Sequence, residues 1–242
     1  MAQHFIVRAI LKAIRALPHY PRLRVLDLSC GRGELLASLK HDGCDVRGTH
    51  FRGDDYEIKS GRESFLTPDI PVDANVDLTR PLPYADASFD VVILSEVVEH
   101  LPEWITVLHE SGRVLAPEGH LVLSTPNVQR LHSRFRFFWT GTHKLIRERP
   151  ERDVSKDELY AFHINPLDFP LAHTVLHQAG LRVEQLRFTR FKAEAWLFVL
   201  YPLFWIATRM EIRDRELFRW MLHPAMLASE QLLIVARRRS PA

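Results

Sequence analysis

The chain has 242 residues, 46 % of them hydrophobic and 26 % charged, with a net charge of +2. Those proportions exclude a disordered, collagen-like or polytopic membrane protein, and a chain this long buries roughly 70–75 % of its unfolded surface without staples. So mild a charge gives no argument for nucleic acid by itself. Cys30 and Cys44 are too few for a disulfide framework and fall in no metal-ligand pattern, so an intracellular protein is expected.

The N-terminus carries no secretory pattern. Phe5, Ile6, Ala9, Ile10, Ala13, Ile14 and Leu17 recur at helical spacing, interrupted by Arg8, Lys12 and Arg15, which predicts an amphipathic helix stopped by Pro18. From residue 24 short apolar runs alternate with helical stretches. Strands are expected at 24–28, 45–51, 74–78 (the weakest), 90–95, 120–125, 181–189 and 231–237. Helices are expected at 34–39, 103–115 and 166–179. Strands apolar on both faces between helices imply an open, mostly parallel sheet, an α/β fold. Two segments break the alternation: 127–165 is basic and aromatic, and 191–229 is apolar and helical. Both read as insertions over the mouth of the sheet. The uncharged run 195–208, broken by Pro202, is shorter than the ~20 residues a spanning helix needs.

The clearest chemical signal is Val25-Leu26-Asp27-Leu28-Ser29-Cys30-Gly31-Arg32-Gly33-Glu34-Leu35-Leu36. An apolar strand ends in a Gly-x-Gly turn that opens a helix, where the backbone can approach a ligand and free N–H groups face it. Leu36 stands where the third glycine of the dinucleotide fingerprint belongs, which points to a ligand without a pyrophosphate.

VLDLSCGRG resembles motif I of the class I S-adenosylmethionine-dependent methyltransferases. Asp77-Leu78 followed by PLPYADASFDVVILSEVVEHL resembles that family's motifs II and III, and LAPEGHLVLSTPN its next helix end and fifth strand. The resemblance covers roughly residues 22–128, with the motifs in order. It implies a Rossmann-like, mostly parallel seven-stranded sheet with helices on both faces, here with an apolar helical insertion near the C-terminus. One domain, 1–242, is expected: an N-terminal helix (1–21), a cofactor half (22–128), a basic lid (129–165) and a C-terminal half (166–242) holding the insertion 191–229. The implied cofactor is S-adenosyl-L-methionine. Asp27 would orient its amino-acid part, and Ser29, Gly31 and Gly33 would lie against the methionyl and ribose parts. Asp77 and Leu78 would meet the adenine, and Ser95 and Glu96 the sulfonium. One position departs: His50 stands where the family carries a ribose-binding carboxylate, and imidazole offers one hydrogen bond in place of two.

Ser95-Glu96-Val97-Val98-Glu99-His100-Leu101 forms a second constellation. On a helical turn Glu96, Glu99 and His100 share a face and can hold a divalent ion, Mg²⁺ or Mn²⁺. With the later His163, the spacing resembles the metal-using ubiquinone-synthesis O-methyltransferases and the small-RNA 2′-O-methyltransferases. A metal-free pairing of Glu99 with His100 stays open. His100 or His163 could also serve as the base for an acceptor hydroxyl.

Residues 130–152 hold seven Lys and Arg against two Glu, with Phe135, Phe137, Phe138 and Trp139 among them. With the preceding Ser124-Thr125-Pro126-Asn127, the segment resembles the methionine-biosynthesis W-like proteins, which carry a comparable basic stretch after a Ser-x-Pro-Asn turn. The expected activity is O-methylation of a small-molecule, lipid-linked or glycan acceptor. The alternatives are an RNA 2′-O-methyltransferase and a degenerate, non-catalytic cofactor-binding partner. A cytoplasmic location is expected, with peripheral contact at the inner membrane face through 195–206; that segment could instead be core or a homodimer interface. Nucleic acid is the less favoured partner.

Overall fold

The computed structural model describes residues 2–51, 64–143, 163–190, 199 and 201–240. Seven strands make one sheet: β1 (Arg24–Leu28), β2 (Asp45–Thr49), β3 (Val72–Asp73), β4 (Phe89–Ser95), β5 (Leu115–Pro126), β6 (Leu181–Phe188) and β7 (Gln231–Arg238). Their spatial order is β3-β2-β1-β4-β5-β7-β6, with β7 antiparallel to both neighbours and every other pairing parallel. The apolar runs are strands buried on both sides. In β4, Val91 and Ile93 face one core with Val25 and Val122, while Val92 and Leu94 face the other with Leu26 and Leu121. The first core is closed by α1 (Ala2–Ile14) and α2 (Glu34–His41). The second is closed by α3 (Trp104–Val114), α5 (Phe169–Gln178) and α8 (Pro224–Ala228). Strand order reverses between β1 and β4, and parallel sheets open a ligand crevice at that point, beyond the strands' C-terminal ends.

Several boundaries differ from expectation for visible reasons. Residues 74–78 are not a strand: Asn75 takes a φ of 60°, and the Val76 N–H turns to the His50 carbonyl at 3.0 Å. The helix expected from 166 starts at Phe169, because the Asp168 side chain caps it by accepting from the Leu171 N–H at 3.0 Å. In the basic segment the structure describes α4 (Leu131–Thr140), while 144–162 lie outside the described residues. In the apolar segment it describes α6 (Tyr201–Glu211), α7 (Arg215–Met221) and α8. Of the run 195–206, residues 195–198 and 200 lie outside the described residues. Helix α6 buries none of its residues, and its Leu203, Ile206 and Met210 are exposed. Among the described residues, no helix is long and apolar enough to cross a membrane.

Gly112 marks a close helix contact. A Cβ there would lie 2.2 Å from the Ala179 carbonyl oxygen, backbone that cannot rotate away, where α3 meets the end of α5. Gly112→Ala should therefore cost about 2–3 kcal/mol of stability by overpacking. Urea denaturation checks this, and an unchanged midpoint would contradict the packing.

Candidate functional site

The turn after β1 is held in left-handed backbone, with φ of 63° at Ser29, 54° at Gly31 and 78° at Gly33. Thr49, at the end of β2, fixes it from the side: its Oγ1 accepts the Ser29 N–H at 2.9 Å and its carbonyl accepts the Cys30 N–H at 3.0 Å. Gly33 precedes α2 as its N-cap, with no side chain capping the helix. Asp27 stands just before this turn, 2 % exposed, and its Oδ1 is buried with no hydrogen-bond partner among the described residues. Burial raises its pKa from the ordinary 3.8 to about 8. A carboxylate in that state is a ready receptor for a cationic group.

A cavity of about 430 Å³ opens at this turn, within the usual range of ~300–1,000 Å³ for small-molecule sites. Asp27, Ser29, Cys30, Gly31 and Arg32 of the β1 turn line it together with Thr49, Phe51, Asp77 and Leu78. Ser95, Glu96, Val97, His100 and Leu101 after β4 also line it, as do Ile6 and Val7 of α1 and Glu34 and Leu35 of α2. Seven of the nine residues expected to hold a cofactor thus line one cavity. Gly33 and His50 do not. Gly33 is turned toward Leu66, whose side chain fills the space beside it. His50 points at the turn, donating from Nε2 to the Gly31 carbonyl at 2.9 Å, with Cys30 Sγ at 3.4 Å. Its ring braces the glycine turn and does not face the cavity. Asp77 accepts from both the Thr79 N–H (2.9 Å) and the Thr79 hydroxyl (2.7 Å) through Oδ1, which orients its carboxylate.

The segment after β4 differs from the expected helical turn. Glu96 takes a φ of 55°, and only Val98–His100 form a single 3₁₀ turn. Glu96 therefore does not join Glu99 and His100 as a third ligand, and its Oε1 accepts from the Ser124 hydroxyl at 3.0 Å. Burial raises the pKa of both carboxyls, and for Glu99 the Glu96 charge adds to it. Glu99 is fully buried, with Oε2 accepting from the Thr125 hydroxyl at 3.1 Å and Oε1 without a partner. Donor atoms of Glu99, His100 and His163 lie within 4.8 Å of one another, so three of the four expected metal ligands converge and Glu96 is not among them. The His100 and His163 rings meet edge to face at 4.6 Å. His163 lies outside the cavity lining, and burial lowers its pKa.

Three residues that position this site were not singled out by sequence reasoning. Ser124 and Thr125, at the end of β5, each hold one of the two carboxylates. Asn165 brings the distant His163 into place: its N–H donates to the Glu99 carbonyl at 2.9 Å, and its side-chain amide donates to the Leu101 carbonyl. The Ser-Thr pair at the end of an apolar strand was the available signal for the first two. For Asn165 the only cue was its place two residues after His163.

A family profile described as a methyltransferase domain matches residues 2–186. A demethylmenaquinone methyltransferase from Beutenbergia cavernae is 37 % identical over 184 residues, covering 72 % of this chain and 71 % of that protein. A ubiquinone biosynthesis O-methyltransferase from Vibrio cholerae is 26 % identical over 167 residues, 65 % of this chain; the match spans 62 % of that relative's length. In fold, the chain is similar to a SAM dependent methyltransferase from Archaeoglobus fulgidus, with a TM-score of 0.58 at 21 % identity over 98 % of this chain and 95 % of that one. With its sheet order, glycine turn and cavity, the chain belongs to the methyltransferase domain family, on the class I S-adenosylmethionine-dependent plan.

Proposed function

We propose that the protein transfers the methyl group of S-adenosylmethionine to an oxygen of a small-molecule, lipid-linked or glycan acceptor. The observation that carries this is the convergence of Asp27, Ser29, Gly31, Asp77, Leu78, Ser95 and Glu96 on one cavity. Asp27 would receive the cofactor's amine, the Gly31 turn would lie against its methionyl and ribose parts, and Asp77 with Leu78 would receive its adenine. When bound, the cofactor supplies an electrophilic methyl on a cationic sulfur. The protein's part is to align the acceptor oxygen in line with it and exclude water. His100, which lines the cavity, or His163 would take the hydroxyl proton where no metal is bound. The lipid-linked option is supported by α6, with Leu203, Ile206 and Met210 exposed, and by the exposed Phe138 and Trp139 of α4; a peripheral place at the inner membrane face is part of that option.

A divalent ion fits the chemistry of Glu99, His100 and His163. The unpartnered Glu99 Oε1 is the oxygen such an ion would take, and the two imidazoles favour Mn²⁺ over Mg²⁺. Its contribution would be to lower the acceptor hydroxyl's pKa.

Methyl-labelled S-adenosylmethionine, offered with catechols, polyisoprenoid-linked sugars and RNA as acceptors, tests this reading. Label should enter a base-stable ether on a non-nucleic-acid acceptor. Chelation should lower the rate at least tenfold, and Mn²⁺ should restore it. Full activity after exhaustive chelation would leave Glu99 and His100 as a structural pair. Label found only on nitrogen or carbon would contradict the oxygen assignment.

A further inference from the structure

Beyond the cofactor cavity, the chain carries one buried and one half-buried arginine, each with a guanidinium nitrogen that is buried and without a partner among the described residues. Arg130, the N-cap of α4, is 6 % exposed, and its Nη1 is buried without a partner. Arg134 lies one turn on, its backbone N–H donating to the Arg130 carbonyl at 3.0 Å. It donates from Nε to the Gln129 carbonyl at 2.6 Å, its Cζ sits 5.9 Å from the centre of the Phe204 ring, and its Nη2 is buried without a partner. Beside them Gln129 leaves its own Oε1 buried and unpartnered. Arg136 also has an unpartnered Nε, but its place two residues further on turns it to another face.

A buried cation is unfavourable unless an anion pairs with it, so these donors suit an incoming anion. The support is rigid. Asn127, just upstream, donates from its side-chain amide to the Met226 carbonyl at 2.8 Å and the Ser229 carbonyl at 3.1 Å, and its Oδ1 accepts the Gln129 N–H at 3.0 Å. The start of α4 has no side-chain cap, so its dipole adds to the attraction for an anion. Two planar forks within one turn of chain suit the several oxygens of a phosphate better than the two of a carboxylate. The place is also telling. This turn directly continues β5, whose Ser124 holds Glu96 in the cavity wall, so the arginines stand at the same edge of the sheet as the reaction site.

We propose that Arg130 and Arg134 form a phosphate-binding site that recognises a phosphate carried by the methyl acceptor. The link to the acceptor rests on the methyl-transfer reading; the phosphate site itself does not.

Melting and calorimetry on the full chain test it, with pyrophosphate as the soluble probe and phosphatidylcholine vesicles with or without phosphatidic acid as the lipid probe. Pyrophosphate should raise the melting temperature of the unaltered chain, or phosphatidic acid should retain it on vesicles. The first result places the phosphate on a soluble acceptor, the second on a lipid. Arg130→Met and Arg134→Met should each weaken that binding at least tenfold, and Arg134→Lys, which keeps the charge and loses the fork, should weaken it less. In phosphate-free buffer both Met variants should melt no lower than the unaltered chain, because an uncompensated charge has been removed. Affinity for S-adenosylhomocysteine should not change. Binding of neither probe, binding that ignores the arginines, or Met variants that melt lower would overturn the site. Arginine-dependent phosphate binding in a chain that fails to bind S-adenosylhomocysteine would keep the site and reject the methyl-transfer reading.

Discussion

Asp27→Asn should bind S-adenosylhomocysteine ten- to a hundredfold more weakly than the unaltered chain, yet melt at a higher temperature without ligand. The two effects share one cause. Asp27 is held 2 % exposed with Oδ1 unpartnered, so its ionised form is unfavourable until a cation arrives. A hydrogen bond to a charged partner contributes about 1.5–3 kcal/mol, which sets the binding loss. Removing the charge relieves the ligand-free protein of a burial penalty of similar order. The pH dependence has a definite sign. With a folded pKa raised from 3.8 to about 8, the folded chain holds a proton that the unfolded chain has already released. Ligand-free stability contributed by this group is therefore complete below pH ~4, falls as pH rises, and levels off above pH ~8. Glu96 and Glu99 shift in the same direction, so the informative quantity is the difference between Asp27→Asn and the unaltered chain. That difference should grow from pH 5 to 8. A variant that binds normally, or melts lower at pH 8, would contradict this role for Asp27.

Gly31→Val should abolish cofactor binding, with a loss of a hundredfold or more. Gly31 lines the cavity at a φ of 54°, where a β-branched residue is a true outlier. Its carbonyl also accepts from His50 at 2.9 Å, so a shift of the turn breaks that brace. The side chain would both strain the turn and occupy ligand space. Gly31→Ala carries the strain with less bulk and should lose less. Calorimetry with S-adenosylhomocysteine measures both variants, and an undiminished affinity in Gly31→Val would place the ligand elsewhere.

What could be read from the sequence follows from how local each signal is. The strand, glycine turn and helix from Val25 to Leu36 are specified by neighbours in the chain, and they form as expected. The apolar runs of β4 and β7 announce strands buried on both faces, which a helical alternation then covers. The metal-type cluster was legible only in part. Reading E-x-x-E-H as a helix face put Glu96 with Glu99, but the left-handed backbone at Glu96 turns it to Ser124. Spacing cannot report that strain. His50 sits at the end of β2 as expected, but its ring is drawn to the Gly31 carbonyl, a contact between two strands' ends that no local pattern encodes. The arginines of 130–134 were visible as basic residues. Their burial was not, because it depends on α6 and α8 packing over the turn from some 70 to 100 residues away.

The most direct test of the account is a calorimetric titration of S-adenosylmethionine into the unaltered chain at pH 6 and pH 9, in buffers of differing ionisation heat. A single site is expected, competed by S-adenosylhomocysteine, with a proton released on binding at pH 6 and none at pH 9; in Asp27→Asn binding should weaken and the release at pH 6 should disappear. Absence of binding at either pH, or binding unaffected by Asp27→Asn and Gly31→Val alike, would contradict it.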